Sequence, residues 1–247
     1  MNNKLGLVSI SFRKNTVEEI FKAVKGAGLT CIEWGSDVHA PYNDTQKLQR
    51  IAELQKEYGI ECCSYGTYFT LGVNTIEELE SYINAAKILG TDILRLWCGD
   101  KSSKDYSQEE KAEFFEICKK AAKIAEKHNV KFCMECHNFT FTDTKETALE
   151  LMKEVNSPHF RMYWQPNQYT SKEENFAYAE LLKEYTEHLH VFNWEGDNRY
   201  PLEESVYLWK QYLEILGDNK HLLLEFMPDD KIETLPTEAD ALRKIEE

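Results

Sequence analysis

An apolar, strand-like run followed by a charged, helix-like stretch recurs along the whole chain, and this alternation constrains the fold more than any other feature. We count eight such pairs, with the helix-like stretches filling the gaps between the runs. The strand-like runs cover residues 6–12, 31–34, 60–65, 93–98, 130–136, 160–165, 188–194 and 222–227. Eight alternations within 247 residues predict an α/β fold, a (β/α)₈ TIM barrel that forms a single domain over residues 1–247.

A doubly wound open sheet is the competing arrangement for alternating strands and helices. Its nucleotide-binding members carry a glycine-rich turn after the first strand. Residues 12–15 of this chain instead read Phe-Arg-Lys-Asn. The barrel is therefore the favoured interpretation.

Polar residues before several helix-like stretches are typical of helix N-caps. Thr16, Thr75 and Ser107 each precede a glutamate-rich first turn. Glycine or asparagine stands at the other end of several stretches, just before the next strand-like run. This order of residues favours helices that end in a left-handed turn and lead back to the sheet.

The composition is ordinary for a globular protein, but the charge is strongly acidic. The chain has 43 acidic and 29 basic residues, a formal net charge of -14. Nucleic-acid binding needs a Lys- and Arg-rich face that displaces counterions, so we expect no nucleic-acid partner. The first 15 residues lack the pattern of a secretion signal, and no run is long enough to span a membrane. Seven cysteines, an odd number in mostly apolar runs, favour reduced thiols, and we expect a cytoplasmic protein.

Two glutamates stand at the ends of strand-like runs in the second half of the chain. In residues 130–137, a period of two places Cys133 and Glu135 on one face of the strand and Phe132 and Met134 on the other. Glu135 should then point into the barrel. Glu225 likewise follows an aliphatic run. Chemistry in such barrels comes from the carboxyl ends of the strands, which is where both glutamates are expected.

The two strands between these glutamates add further metal-ligating groups. Gln165 is expected at the end of the sixth strand and His190 near the end of the seventh. Two carboxylates, one imidazole and one amide oxygen suit Mn²⁺, Mg²⁺ or Zn²⁺. Taken alone, each glutamate is equally consistent with a salt bridge at the barrel mouth, and His190 with a hydrogen-bonded core residue. Arginines could also balance the two carboxylates, and Arg95 and Arg161 are the candidates.

These residues resemble the xylose-isomerase-like TIM barrels, a family that includes sugar-phosphate isomerases, epimerases and inosose dehydratases. The resemblance spans nearly the whole chain and rests on three segments: residues 134–138 (Met-Glu-Cys-His-Asn), 190–193 (His-Val-Phe-Asn) and 224–226 (Leu-Glu-Phe). The family's sixth strand usually ends in a metal-binding Asp followed three residues later by His. This chain has Gln165 and Gln168 there. A neutral ligand in place of an anionic one is expected to weaken metal affinity.

The resemblance implies that Glu135 and Glu225 act as acid and base on either side of a chelated hydroxy-carbonyl substrate, by proton transfer through an enediolate. His137 is expected to bind a substrate oxygen or to hold Glu135. Trp97 at a strand end is expected to pack against a sugar or to form part of a lid. Arg199 is expected to bind a substrate hydroxyl or phosphate, or to pair with Asp197.

Glu33 resembles the family's strand-two glutamate, which binds substrate hydroxyls. A buried ion pair with Arg95 is the preferred structural alternative for Glu33. The leading functional hypothesis is a metal-dependent isomerase or epimerase of a sugar or sugar phosphate. The alternatives are an inosose-dehydratase-like lyase and a degenerate barrel that binds a sugar-like ligand without turnover. The sequence leaves the sugar, the ion, the base and the subunit number open, a homo-oligomer included.

Overall fold

Eight parallel strands form a closed barrel in the computed structural model, which describes residues 3–247. The strands are β1 (Lys4–Val8), β2 (Cys31–Gly35), β3 (Glu61–Leu71), β4 (Ile93–Cys98), β5 (Lys131–Glu135), β6 (Phe160–Trp164), β7 (Thr186–Val191) and β8 (His221–Leu224). Each strand pairs with its sequence neighbours, and β8 pairs with β1 to close the ring. The predicted (β/α)₈ barrel is therefore confirmed.

Eight helices surround the strands in the described part of the chain, residues 3–247. They are α1 (Val17–Gly26), α2 (Thr45–Tyr58), α3 (Leu79–Leu89), α4 (Gln108–His128), α5 (Lys145–Val155), α6 (Lys172–Leu182), α7 (Val206–Leu216) and α8 (Leu235–Glu246). Short 3₁₀ turns cover Ser9–Phe12, Ile76–Glu78, Ser103–Asp105, Lys183–Tyr185, Leu202–Ser205 and Ile232–Thr234. A small hairpin pairs Trp194–Glu195 with Asn198–Arg199 above the barrel. Within residues 3–247, no helix has both the length and the apolar character needed to cross a membrane.

Local sequence signals explain where the helices begin. Thr16 and Ser107 each form a capping box, in which the hydroxyl accepts from the third helical residue and that residue's glutamate accepts from the cap. Thr75 makes no such bond and opens a 3₁₀ turn, so α3 begins only at Leu79. The predicted cap at Thr75 is thus wrong in detail.

The barrel interior and the helix layer divide the side chains of each strand. On β5, Phe132 and Met134 pack among the helices, whereas Cys133 belongs to a smaller apolar cluster inside the barrel. The interior cluster contains Val8, Ile10, Cys31, Cys63, Ile93, Cys133, Tyr163 and Leu223. All seven cysteines are buried free thiols. These apolar side chains fill the inside of the barrel, and the buried polar groups described below lie toward the carboxyl ends of the strands.

Candidate metal centre at the carboxyl end of the barrel

The side chains of Glu135, Gln165, His190 and Glu225 meet at one point inside the barrel. Glu135 is the last residue of β5, His190 lies within β7, and the other two directly follow β6 and β8. One ligand atom from each of Glu135, His190 and Glu225 lies within 4.8 Å of the others. The structure therefore brings together the four residues selected from the sequence, whose roles as ligands and catalysts stay predictions.

His190 lies at the centre of this cluster. Its Nδ1 atom lies 3.3 Å from Oε1 of Glu135, 3.4 Å from Oε2 of Glu225 and 3.0 Å from Oε1 of Gln165. The amide nitrogen of Gln165 donates to the carbonyl of Cys136 at 3.1 Å, which directs its oxygen toward His190. Four potential donor atoms thus face a common centre.

The other ring nitrogen of His190 faces Glu33 below the cluster. Nε2 lies 3.6 Å from Oε1 of Glu33 and has no hydrogen-bond partner among the described residues, although it is fully buried. Burial opposes protonation of His190, but the carboxylates of Glu225, Glu135 and Glu33 outweigh it and raise the pKa well above its ordinary value. A metal at Nδ1 would replace this positive charge and leave Nε2–H pointing at Glu33, a common arrangement for metal-binding histidines.

A single guanidinium links Glu33 and Glu135. Arg95 donates from Nε to Oε1 of Glu33 at 2.8 Å and from Nη1 to Oε2 of Glu135. Burial alone would raise the pKa of Glu135, but the charge of Arg95 and the hydrogen bond with His190 lower it to about 2. Burial also opposes ionisation of Glu33, but Arg95 and His190 hold its pKa well below the ordinary value, so both carboxylates are ionised at neutral pH.

The balance of buried charge leaves room for a cation. Arg95 pairs with Glu33 and Glu135, which confirms one of the two suggested arginines, whereas Glu225 lies beside His190 and has no arginine partner in residues 3–247. Arg161 pairs with Glu187 outside this cluster. A divalent ion held by two carboxylates, one imidazole and one amide oxygen would neutralise the remaining negative charge, and the donor set fits such an ion.

A cavity of about 320 Å³ opens above the cluster. Its wall combines aromatic and polar side chains, and Glu135, Gln165 and Glu225 lie among the residues that line it. The aromatic lining residues are Tyr68, Trp97, Phe139, Tyr169, Tyr178, Phe192, Trp194 and Phe226. Such a cavity suits a small ring or chain with apolar faces and polar edges.

Three of the predicted substrate-binding residues lie at or near this cavity, and the fourth lies below it. His137 lines the cavity and stacks on Trp97 with a ring separation of 4.8 Å. The guanidinium carbon of Arg199 lies 4.8 Å from the ring centre of Trp194 and 4.6 Å from that of Phe226, beside the contact between the two rings. Glu33 is fully buried and hydrogen-bonded to Ser64 and Arg95, which is the predicted structural alternative. Substrate binding by these residues stays a prediction.

The suggested pairing of Arg199 with Asp197 is wrong. Arg199 instead forms a salt bridge with Asp230, which follows β8. Asp197 accepts a hydrogen bond from the hydroxyl of Tyr169 at 2.5 Å. The hairpin directs the two side chains to different partners. The short separation of residues 197 and 199 in the sequence does not indicate this.

Several residues at the cavity were not selected from the sequence. Phe139 and Phe226 line it with backbone φ angles of 61° and 55°, a region that bulky residues rarely adopt. Arg13 donates to the hydroxyl of Tyr68 at 2.8 Å at the rim. No sequence signal marks the two phenylalanines, because glycine and asparagine are the usual indicators of this conformation.

Fold and site together define a single α/β barrel with a carboxylate-rich candidate metal centre at its carboxyl end. Residues 21–246 match the family model described as xylose isomerase-like TIM barrel. The chain belongs to this family, which confirms the resemblance predicted from residues 134–138, 190–193 and 224–226.

One characterised relative of this chain is a 3-dehydroshikimate dehydratase from Bacillus anthracis. The two are 27% identical over 168 residues, which cover 64% of this chain and 60% of the relative. The matched part is therefore less than two thirds of that relative's length.

Solved structures with the same fold include three of interest. A probable 3-DHS dehydratase, AsbF of Bacillus anthracis, superposes with a TM-score of 0.81 at 20% identity, covering 97% of this chain and 98% of that one. D-Psicose 3-epimerase with D-tagatose from Clostridium cellulolyticum H10 gives 0.70 at 15% identity, with 98% of each chain covered. The IolI protein with a bound zinc atom gives 0.74 at 15% identity, covering 98% and 96%. At these identities the likeness shows the fold.

Proposed function

We propose that this protein is a metal-dependent dehydratase that acts on a small hydroxylated carbonyl compound. The observation that carries the proposal is the convergence of Glu135, Gln165, His190 and Glu225 at the base of an aromatic cavity. The 27% identity to a 3-dehydroshikimate dehydratase favours loss of water as the reaction, and it makes 3-dehydroshikimate the first substrate to test.

Glu135, His190 and Glu225 would hold the ion, with the oxygen of Gln165 as a neutral fourth ligand. When bound, Mn²⁺, Mg²⁺ or Zn²⁺ supplies a Lewis acid that stabilises negative charge developing on a carbonyl oxygen. A glutamate then removes the proton from the neighbouring carbon, which is the step that dehydration and epimerisation share. Aromatic side chains would contact the apolar faces of the substrate, and we expect His137, which lines the cavity, and Arg199, near its edge, to bind substrate oxygens.

Isomerisation or epimerisation of a sugar or sugar phosphate, the leading hypothesis from the sequence, remains the second candidate. It is favoured by one observation: the carboxylates of Glu135 and Glu225 lie at similar distances, 3.3 and 3.4 Å, from the same nitrogen of His190. Two glutamates so placed could give and take protons on different faces of one substrate. A binding protein without turnover is the third reading, motivated by Gln165 and Gln168.

The test is incubation of the metal-loaded protein with 3-dehydroshikimate, followed by mass analysis. We expect a product lighter by one water, and loss of turnover when a chelator removes the ion. Replacing both carboxylates (Glu135→Gln with Glu225→Gln) should abolish turnover while circular dichroism stays that of the folded barrel. Lys244→Met, which removes an exposed ion pair with Glu203, is the matched surface control.

Two other outcomes would favour one of the other candidate functions. An isomeric product from D-psicose or a related sugar, with no loss of water, would favour the epimerase. Calorimetry that detects no binding of Mn²⁺, Mg²⁺ or Zn²⁺ would contradict both metal-dependent proposals and favour the binding protein.

A further inference from the structure

The two glutamates of the centre differ in how many hydrogen-bond donors contact them. Oε2 of Glu135 accepts from Nη1 of Arg95 and also from Nε1 of Trp97, at 2.6 Å. A carboxylate oxygen offers two lone pairs. Both lone pairs of this atom are therefore engaged, and Trp97 and Arg95 come from the same strand, β4.

The remaining oxygen of Glu135 faces the centre. Oε1 lies 3.3 Å from Nδ1 of His190, on the side where a metal would be held. Arg95 is itself fixed by its second bond, to Glu33, and is almost completely buried. Glu135 is thus held at both oxygens, and it has little freedom to approach a substrate carbon.

Glu225 has a different environment. Its Oε2 lies 3.4 Å from Nδ1 of His190, and no donor in residues 3–247 hydrogen-bonds to its Oε1. The residue lines the cavity just beyond the end of β8. One oxygen of Glu225 can therefore bind the ion, while the other has no hydrogen bond that would hold it away from a substrate in the cavity.

We propose that Trp97 and Arg95 are positioning residues that restrict Glu135 to holding the metal, so that Glu225 is the one carboxylate that exchanges a proton with the substrate. This inference rests on the proposed function and deepens it. A single proton carrier suffices for elimination, whereas epimerisation by the two-glutamate route needs a second carboxylate for the opposite face.

The step balances without any co-reactant. Glu225 takes the proton reversibly from the carbon beside the carbonyl, and the electron pair of that C–H bond is shared between that carbon and the carbonyl oxygen before it forms the new C=C bond. The C–O bond of the hydroxyl on the next carbon breaks, and its electron pair leaves with the oxygen. Glu225 returns its proton to that oxygen, water departs, and the carboxylate is regenerated.

The first test follows the hydrogen bond itself, independently of activity. The indole N–H signal of Trp97 in a ¹H–¹⁵N spectrum, assigned as the one missing in Trp97→Phe, should lie downfield because it donates to a carboxylate. Glu135→Gln should move this signal upfield, and Glu225→Gln should leave it in place. If Glu135→Gln leaves the chemical shift of the Trp97 indole N–H unchanged, the positioning role of Trp97 is overturned.

The second test measures proton exchange in D₂O with 3-dehydroshikimate as the probe, at metal concentrations that calorimetry shows to be saturating for each variant. Glu225→Gln should slow the uptake of deuterium into recovered substrate by about 1000-fold, within the usual range for loss of a general base. Glu135→Gln should weaken metal binding and, once loaded, slow exchange by only about 10-fold, the lower end of effects seen for altered metal environments.

Conservative variants keep the inference testable if a glutamine variant fails to fold. Glu225→Asp should retain slow deuterium exchange. Arg95→Met should weaken metal binding and slow exchange, and Arg95→Lys, which keeps the positive charge, should lose less of both. Equal losses of exchange in metal-loaded Glu135→Gln and Glu225→Gln would overturn the inference and leave the proposed function standing. A wild-type protein that binds metal but neither exchanges nor dehydrates the probe, in contrast, would refute the proposed function and the inference together.

Discussion

Gln165 stands where the resemblance seen in the sequence implies a metal-binding aspartate. Its oxygen lies 3.0 Å from His190, so the side chain occupies the place of a ligand while carrying no charge. The affinity of oxygen sites for hard divalent ions rises with the number of anionic ligands. This single position should therefore set how tightly the ion is held.

Restoring the anionic residue should tighten metal binding. We expect Gln165→Asp to lower the dissociation constant for Mn²⁺ by at least about 10-fold, because a third carboxylate joins the centre. Isothermal calorimetry measures the change, with Gln168→Asp in the same cavity as the control for added negative charge. Equal gains in the two variants would indicate a general field effect and contradict a ligand role for Gln165.

Glu135 and Glu225 could be selected from the sequence because a charged residue at the end of an apolar strand is easy to see. The hydrogen-bond partners of these two glutamates are harder to predict from the sequence. Arg95 is one of the two arginines that the sequence offers as balancing charges, but the bond from Trp97 to Glu135 depends on side-chain packing between neighbouring strands. Pairing across strands is not encoded in local spacing.

The loops that follow the strands carry the features least visible in the sequence. The alternation of strands and helices was predictable because apolar periodicity reports burial directly. The exact strand ends were not: β1 stops at Val8, four residues before the predicted end, and a 3₁₀ turn follows. There the hydroxyl of Ser9 accepts from the backbone N–H of Gly35, a contact between this turn and the end of β2.

Phe139 shows how such a loop relates to the cavity. It lies in the loop between β5 and α5, lines the cavity, and is 74% exposed with a left-handed backbone. Left-handed conformations cost a bulky residue roughly 1–2 kcal/mol. Strain of this kind is common where a residue serves binding rather than stability.

Exchanging Phe139 for a residue that tolerates this conformation should stabilise the protein and weaken ligand binding. We expect Phe139→Asn to raise the free energy of unfolding by about 1 kcal/mol, since asparagine adopts left-handed backbone readily. The KM for the substrate should rise, because the aromatic contact is lost. Urea titration and steady-state kinetics measure the two effects.

Phe139→Leu is the matched control, because leucine keeps both the apolar character and the backbone strain. It should not be more stable than the wild type. A stabilising effect of Phe139→Leu equal to that of Phe139→Asn would contradict backbone strain as the cause.

Across the whole molecule, the charged cluster ties distant parts of the chain together. Arg95, Glu33, Glu135 and His190 belong to β4, β2, β5 and β7, and all four are buried. Their contacts span half of the barrel's strands. The stability of the closed barrel therefore depends on charge balance inside it as well as on apolar packing.

Removing the buried guanidinium should destabilise the entire barrel. We expect Arg95→Met to lower the free energy of unfolding by about 3–5 kcal/mol, because it leaves Glu33 and Glu135 without their shared counter-charge. Lys244→Met, which breaks an exposed pair with Glu203, should cost less than about 1 kcal/mol. Chemical denaturation of the two variants makes the comparison, and similar losses would show that burial of the pair is unimportant.

The burial of every thiol means that the protein's own cysteines can report how often the barrel unfolds. Since the seven cysteines are all buried, an alkylating reagent in the surrounding buffer reaches sulfur only when the protein opens. The speed at which mass accumulates on the intact polypeptide, one adduct per cysteine, should then record how often the barrel opens. Three of those sulfurs, on Cys31, Cys63 and Cys133, lie within the ring of strands. The rate at which these three are alkylated would measure how often the ring of strands opens, and the measurement needs no dye or engineered probe.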